Sequence, residues 1–236
     1  MRTQLLAFAR ADHRISGAAI TGSAARDAQD AWSDIDLAFG VAPGASLDEV
    51  LAAWTEMMYR DHEAVHHFDV VAGAWVYRVF LLRSTLQVDL AFVPADQFGA
   101  RAPSFRLVYG SPVELPAPRP PVATDLVGLG WMYALHVDRC LERGRLWQAE
   151  LMLSGLRGEV LKLACLRHGL LTAEGRGFDD LPDAVTRPLE PALAASLEPD
   201  ELRRAFEVAL KGLIAEARLV DAQLAERIEG TLRLLE

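Results

Sequence analysis

Cysteine is scarce in this sequence, which contains only Cys140 and Cys165. The two residues are not spaced like a metal-binding pair, and both stand in apolar stretches with helical periodicity. Free cysteine packs like a small hydrophobic side chain. We therefore expect both to be buried, reduced thiols.

Long hydrophobic runs are also missing. No apolar stretch approaches the roughly 20 residues that a membrane-spanning helix needs, and the N-terminal segment has neither the apolar core nor the cleavage site of a secretory signal. The sequence therefore predicts a soluble, cytoplasmic protein without a membrane partner.

Positive charge is the third deficit, since the formal net charge is -9. Proteins that bind nucleic acid generally present a basic face, because neutralising phosphates dominates their affinity. The acidic balance argues against a nucleic-acid partner and fits a cationic small molecule better. It leaves the oligomeric state open.

Apolar residues are abundant, at 51% of the 236 residues. This is enough for a full core in one large domain or two small ones. The first half alternates short strand-like runs with helical patterns, which is typical of an α/β domain with a twisted mixed sheet and flanking helices. The strands are expected at 16–21, 33–39, 68–72, 75–83 and 86–93, and helical patterns at 3–13 and 46–66.

A proline-rich stretch at 112–121 marks a linker, after which the strand patterns disappear. The second half predicts an all-α bundle, with helices at 124–143, 145–168, 199–221 and 222–235. We expect two domains, at 1–115 and 122–236.

The most informative stretch is Gly22-Ser23 followed, after ten intervening residues, by Asp34-Ile35-Asp36. Gly22 ends a predicted strand and leaves the backbone open to a phosphate, while Ser23 begins a short helix whose free N–H groups favour an anion. Asp34 and Asp36 are two residues apart on a strand and so point to the same side. Two converging carboxylates repel each other unless a cation lies between them, and Mg²⁺ is the natural choice for hard oxygen ligands and substrate phosphates.

Asp89 supplies a third carboxylate within the apolar run 86–92. A lone acid in an otherwise apolar strand is uncommon unless something binds it. If this strand lies beside 33–39, Asp89 joins the pair, and three carboxylates can hold one or two metal ions of the kind used in phosphoryl chemistry.

With these residues the chain resembles the polymerase-β-like nucleotidyltransferase superfamily, in particular its small-molecule branch of aminoglycoside and lincosamide nucleotidyltransferases. The specific resemblance covers residues 16–93. It implies that Gly22 and Ser23 contact the triphosphate and that Asp34, Asp36 and Asp89 bind Mg²⁺ as catalytic metal ligands. The family often has a second glycine soon after Gly-Ser; this chain has none there, and Arg26 is the alternative phosphate contact.

Glu150 is the candidate general base. At helical spacing it shares a face with Ser154 and Arg157, and a positioned carboxylate can accept the proton of an attacking hydroxyl. The resemblance supports this role, since several small-molecule members place a base on the helical domain, across the cleft from the metal. The alternative is a structural contact between Glu150 and Arg157. Trp131, Tyr133 and Trp147 are interpreted as core residues.

The sequence thus predicts Mg²⁺-dependent transfer of a nucleoside monophosphate, with ATP the favoured triphosphate, to a hydroxyl of a small, cationic, aminoglycoside-like acceptor. Such an activity occurs in antibiotic resistance and in normal metabolism, and the sequence does not separate the two. Two alternatives are a minimal nucleotidyltransferase of a toxin–antitoxin module acting on a protein partner, and a nucleotide-binding regulator without catalysis. Partners in such modules carry a spaced arginine and histidine on one helix, whereas Arg167 and His168 are adjacent here.

Overall fold

A computed structural model describes residues 1–101, 104–116 and 119–235. The chain divides into two compact units, Met1–Pro118 and Arg119–Glu236. In the described part of the chain, no helix combines the length and the apolar character needed to cross a membrane.

The first unit is built on a six-stranded sheet in the order β3-β4-β5-β2-β1-β6. Strands β2 and β5 run parallel, and every other neighbouring pair is antiparallel. The sheet is therefore mixed, as the alternating patterns predicted. The strands are β1 Ile15–Thr21, β2 Ile35–Val41, β3 Ala64–Ala72, β4 Trp75–Leu82, β5 Gln87–Pro94 and β6 Phe105–Tyr109.

Two helices pack on one face of this sheet, α1 Arg2–Ala11 and α2 Leu47–Asp61. The apolar positions of α2 recur at helical spacing, and Ser46 caps the helix by accepting a hydrogen bond from the Glu49 N–H. Trp54 of α2 is fully buried against the aromatic side chains of the strands beneath it. This packing makes one continuous core, to which every central strand contributes alternate residues.

The helix predicted from the pattern at 46–66 is shorter in the structure. The helix ends at Asp61, Glu63 adopts a positive φ of 56°, and β3 begins at Ala64. His66 therefore lies on an edge strand and not on a helix face. Antiparallel pairing of β3 with β4 along nearly its whole length explains the change, because cross-strand contacts override a helical spacing that is only local.

Strand β6 was not predicted from the sequence. It has only five residues and pairs antiparallel with β1, from which it is far removed along the chain. A tight turn joins β4 and β5, which correspond to the strands expected at 75–83 and 86–93: Thr85 has a positive φ of 69° and its N–H donates to the Leu82 carbonyl at 2.9 Å.

The start of the proline-rich stretch has an irregular backbone and is hydrogen-bonded to the sheet unit. At 111–116 the chain has no regular secondary structure, and the Val113 N–H donates to the Phe98 carbonyl at 2.7 Å. The rest of the predicted linker includes residues 117 and 118, which lie outside the described residues.

The described part of the second unit contains helices and no strand, as predicted. Its core is a cluster made mostly of leucine, alanine and valine side chains, and it includes the fully buried Phe206. Cys140 and Cys165 are both buried, free thiols, as expected from their apolar surroundings. The helices are α3 Ala123–Glu142, α4 Leu146–Arg167, α5 Asp183–Thr186, α6 Pro199–Val220 and α7 Ala222–Leu232.

Candidate functional site

Asp36 and Asp89 lie side by side on the two parallel strands at the middle of the sheet. The register of β2 and β5 makes them direct partners. The residues on either side of them, among them Leu37 and Leu90, turn to the opposite face and enter the core under α1 and α2. The expectation that the strand bearing Asp89 lies beside the strand of the D-x-D pair is confirmed.

Asp34 completes a group of three acids. It stands one residue before β2, so it belongs to the approach to the strand and not to the strand itself. One carboxylate oxygen from each of Asp34, Asp36 and Asp89 lies within 4.8 Å of the other two, and all three residues are half-buried. A donor set made only of carboxylate oxygens suits a hard cation such as Mg²⁺, so these residues can hold a metal ion.

The electrostatics of Asp89 also favour a cation. Burial raises the pKa of this carboxyl, and the negative charge of Asp34 raises it further. Gln87 acts in the opposite sense, since its side-chain N–H group donates to the two Asp89 oxygens at 3.0 and 3.2 Å. A bound cation would oppose the effects of burial and of Asp34 and favour the charged form of the Asp89 carboxyl.

Gly22 permits Asp36 to occupy its position. Its φ is 63°, a conformation that favours glycine. A Cβ atom placed on Gly22 would lie 1.9 Å from Oδ2 of Asp36, so any other residue would displace this carboxylate. From the sequence alone, Gly22 was expected to make room for a phosphate; the structure adds a contact with a candidate metal ligand that no sequence spacing indicates.

The segment after Gly22 is a single turn of 3-10 helix, Ser23–Arg26. The sequence predicted a short helix beginning at Ser23. The Ser23 hydroxyl oxygen is buried, and no described residue hydrogen-bonds to it. Arg26 is exposed at the end of the turn, and the neighbouring Asp27 pairs with Arg106 of β6 at 2.7 Å. Contact of Gly22, Ser23 and Arg26 with a triphosphate remains a prediction.

A cavity of about 170 Å³ opens beside Asp36 and Asp89 on their face of the sheet. Its floor is made of small side chains, Ala38 and Ala91, and its walls include Trp75 and Tyr77 of β4. We call this cavity the alanine pocket. The sequence analysis did not find it, because its walls come from strands that are neighbours only in the folded sheet. The remaining lining residues are Thr21, Leu37, Gly99, Arg101, Ser104 and Phe105.

Glu150 lies half-buried on α4 of the helical unit. Arg157, its suggested structural partner, donates instead to the Ser154 hydroxyl at 3.2 Å and to the Ala192 carbonyl at 3.0 Å. Burial lowers the pKa of Arg157, and the charge of Glu150 acts in the opposite direction. The role of Glu150 as a base stays a prediction.

The aromatic residues of the helical unit differ in their exposure to solvent. Trp147 is 80% exposed and Trp131 is 40% exposed, so the interpretation of these two as core residues is wrong. Tyr133 packs against the helical core.

Arg167 forms an ion pair with Glu216 at 2.7 Å, and its Nη1 lies 2.9 Å from a ring nitrogen of His168.

Comparison with known proteins gives a likeness to solved structures. No protein-family model matches the chain, and no curated protein matches it. Among solved structures, the chain is similar to the crystal structure of an aminoglycoside 6-adenyltransferase from Bacillus subtilis. The two are 16% identical, the match covers 98% of this chain and 95% of that one, and the TM-score is 0.44.

Proposed function

We propose that the protein is a Mg²⁺-dependent nucleotidyltransferase that transfers a nucleoside monophosphate from a nucleoside triphosphate, with ATP the favoured donor, to a hydroxyl of a small cationic acceptor. The observation that carries the proposal is the convergence of Asp34, Asp36 and Asp89, with Gly22 pressed against one of them. Three carboxylates joined to a glycine-serine turn form a site suited to a metal-bound polyphosphate.

The residues present fit a divalent metal ion. The donors are carboxylate oxygens, they stand within reach of a single ion, and burial at Asp89 would be offset by a positive charge. When bound, Mg²⁺ would neutralise phosphate charge and favour departure of pyrophosphate. Asp34, Asp36 and Asp89 would hold it and fix the position of the phosphate chain.

In the proposed reaction an acceptor hydroxyl oxygen forms a bond to the α-phosphorus, while the bond from that phosphorus to the bridging oxygen breaks. Pyrophosphate leaves with the electron pair of the broken bond. The hydroxyl proton passes to a carboxylate base, for which Glu150 is our candidate. Reactions of this kind depend more on positioning and charge neutralisation than on covalent catalysis.

A pyrophosphate-release screen tests the proposal. Purified protein with Mg²⁺ is incubated with each of the four common nucleoside triphosphates against a panel of hydroxylated amines, and mass spectrometry identifies the product. We expect release that requires both an acceptor and Mg²⁺, and none from Asp36→Asn. Tight nucleotide binding without any transfer would favour a non-catalytic regulator. Nucleotidylation of a co-purifying small helical protein would favour the toxin–antitoxin alternative.

Glu150→Gln tests the candidate base. The substitution keeps the side-chain shape, so nucleotide and acceptor should bind as before, but kcat should fall by at least ~10²-fold. The loss should appear in kcat and not in KM, because proton removal matters in the transition state. The matched control is Glu142→Gln, a surface residue of α3 that pairs with Arg203. Equal kcat values for wild type and Glu150→Gln would assign the base elsewhere, with Glu63 or one of the three acids next in line.

A further inference from the structure

The shape of the alanine pocket follows from side-chain size on one face of the sheet. Ala38 and Ala91 are register partners on β2 and β5, and both are nearly fully buried although their side chains are small. On β4, Tyr77 pairs with Ala91, so a large ring stands directly beside a methyl group. Phe105 of β6 bounds the other side. The step from large to small side chains leaves a depression above the alanines.

The size of the depression fits part of a ligand. At about 170 Å³ the pocket is smaller than the roughly 300–1,000 Å³ typical of complete small-molecule sites. It has room for one ring system, and the rest of the ligand must extend outside. Asp36 and Asp89 line the same pocket, so the ligand would leave it past the candidate metal ligands.

The chemistry of the walls favours a flat, uncharged ring. The rings of Trp75 and Tyr77 stack with centroids 5.9 Å apart and an interplanar angle of 21°. Trp75 is only 6% exposed and so forms a fixed wall, whereas Tyr77 is half-buried. Aromatic side chains bind heterocyclic bases by stacking. This contact accepts any base, because every base has a flat π face.

Arg101 places a positive charge at the edge of the pocket. Its guanidinium carbon lies 5.9 Å from the centre of the Trp75 ring, and Nη1 donates to the Ala72 carbonyl at 3.4 Å. Asp36 and Asp89 line the same pocket, so Arg101 supplies a positive charge beside two acids. A positive charge at this edge is compatible with a ring that is attached to phosphates.

We propose that the alanine pocket is the subsite for the base of the nucleoside triphosphate, with Tyr77 and Trp75 as its stacking wall and Ala38 and Ala91 as its floor. The inference rests on the proposed function, because it places the phosphates of the same ligand at the three acids.

The test compares two probes, Mg²⁺ with a nucleoside triphosphate and Mg²⁺ with inorganic tripolyphosphate, which has no base. Calorimetry on wild type should show tighter binding of at least one nucleoside triphosphate than of tripolyphosphate. Ala91→Leu fills the floor and should weaken that nucleotide at least ~10-fold, the scale of losing one stacked base, while leaving tripolyphosphate unchanged. Ala52→Leu, on the exposed side of α2, is the matched control and should change neither.

A second variant tests the pocket independently, in case Ala91→Leu does not fold. Tyr77→Ala removes a wall without adding volume and should weaken nucleotide binding in the same selective way. Circular dichroism and thermal melting check that each variant is folded. Because Trp75 forms part of the wall, nucleotide should also quench its fluorescence, and Trp75→Phe should remove that part of the quenching.

The outcomes separate this inference from the proposed function. If wild type binds nucleotide and tripolyphosphate equally well, or if folded Ala91→Leu and Tyr77→Ala bind nucleotide like wild type, the subsite is wrong and the proposed function stands. If wild type binds neither Mg²⁺-loaded probe, both the inference and the proposed function fail.

Discussion

The two faces of the sheet differ sharply, although the same strands make both. On β5, Leu90 and Phe92 point toward α1 and α2 and are completely buried, whereas Asp89 and Ala91, which alternate with them, point the other way. Strand β2 repeats the arrangement. We call the first the helix-covered face and the second the alanine face.

The comparison shows how one strand can meet two demands. Side chains alternate along a strand, so volume can be selected on one side and charge or small size on the other. Close packing of large side chains stabilises the helix-covered face. The alanine face carries small side chains instead, and three acids lie close together beside them. Substitutions on the first should change stability, and substitutions on the second should change ligand binding.

The largest effect on stability should come from Phe39→Ala on the helix-covered face. The Phe39 ring is fully buried and lies 4.6 Å from that of Trp54 and 5.3 Å from that of Phe92, measured between centroids. Its removal should lower the free energy of unfolding of the sheet unit by about 3–5 kcal/mol in urea denaturation. Ala38→Gly, on the next residue, should cost only about 1 kcal/mol. Equal losses for the two would contradict the contrast between the faces.

An intermediate effect is expected for Gly22→Ala. The new Cβ atom would collide with the Asp36 carboxylate, and the positive φ adds strain. Gly73→Ala is the matched control, with a φ of 65° and no atom within 4 Å of the added methyl group. Both should lose about 1 kcal/mol or more of stability, but only Gly22→Ala should abolish Mg²⁺-dependent triphosphate binding. Wild-type binding in Gly22→Ala would show that Asp36 is not needed in this position.

The smallest effect on stability, and one of opposite sign, is expected for Asp89→Asn. Because its pKa is raised in the folded protein, Asp89 binds a proton more tightly there than in the unfolded chain. Its contribution to stability therefore falls as pH rises from the unfolded pKa through the folded one. Without metal, Asp89→Asn should be as stable as wild type or more stable at pH 7, and this advantage should vanish below about pH 4. A large loss of melting temperature at pH 7 would mark Asp89 as a structural residue.

Much of this contrast can be read from sequence, because it is local. The D-x-D pair, the lone acid in an apolar strand and the turn at Gly22 each follow from neighbouring residues. The helices of the second unit follow from apolar spacing in the same way.

The remainder depends on contacts between distant segments. The pairing of Asp36 with Asp89 requires the register of two strands that are far apart along the chain. The meeting of Tyr77 with Ala91, and of Gly22 with Asp36, is likewise a property of the folded sheet. Strand β6 was not predicted from the sequence, because its five residues are held as a strand by pairing with β1, which is distant along the chain.

The central claim is that the three acids form a metal site for a polyphosphate. Isothermal titration of wild type and Asp36→Asn with a nucleoside triphosphate, each with and without Mg²⁺, tests it most directly. We predict that wild type binds only with Mg²⁺, and that folded Asp36→Asn loses this binding, since the substitution keeps the size of the side chain and removes one charged ligand. Wild-type affinity in Asp36→Asn, or binding that does not depend on Mg²⁺, would contradict the account.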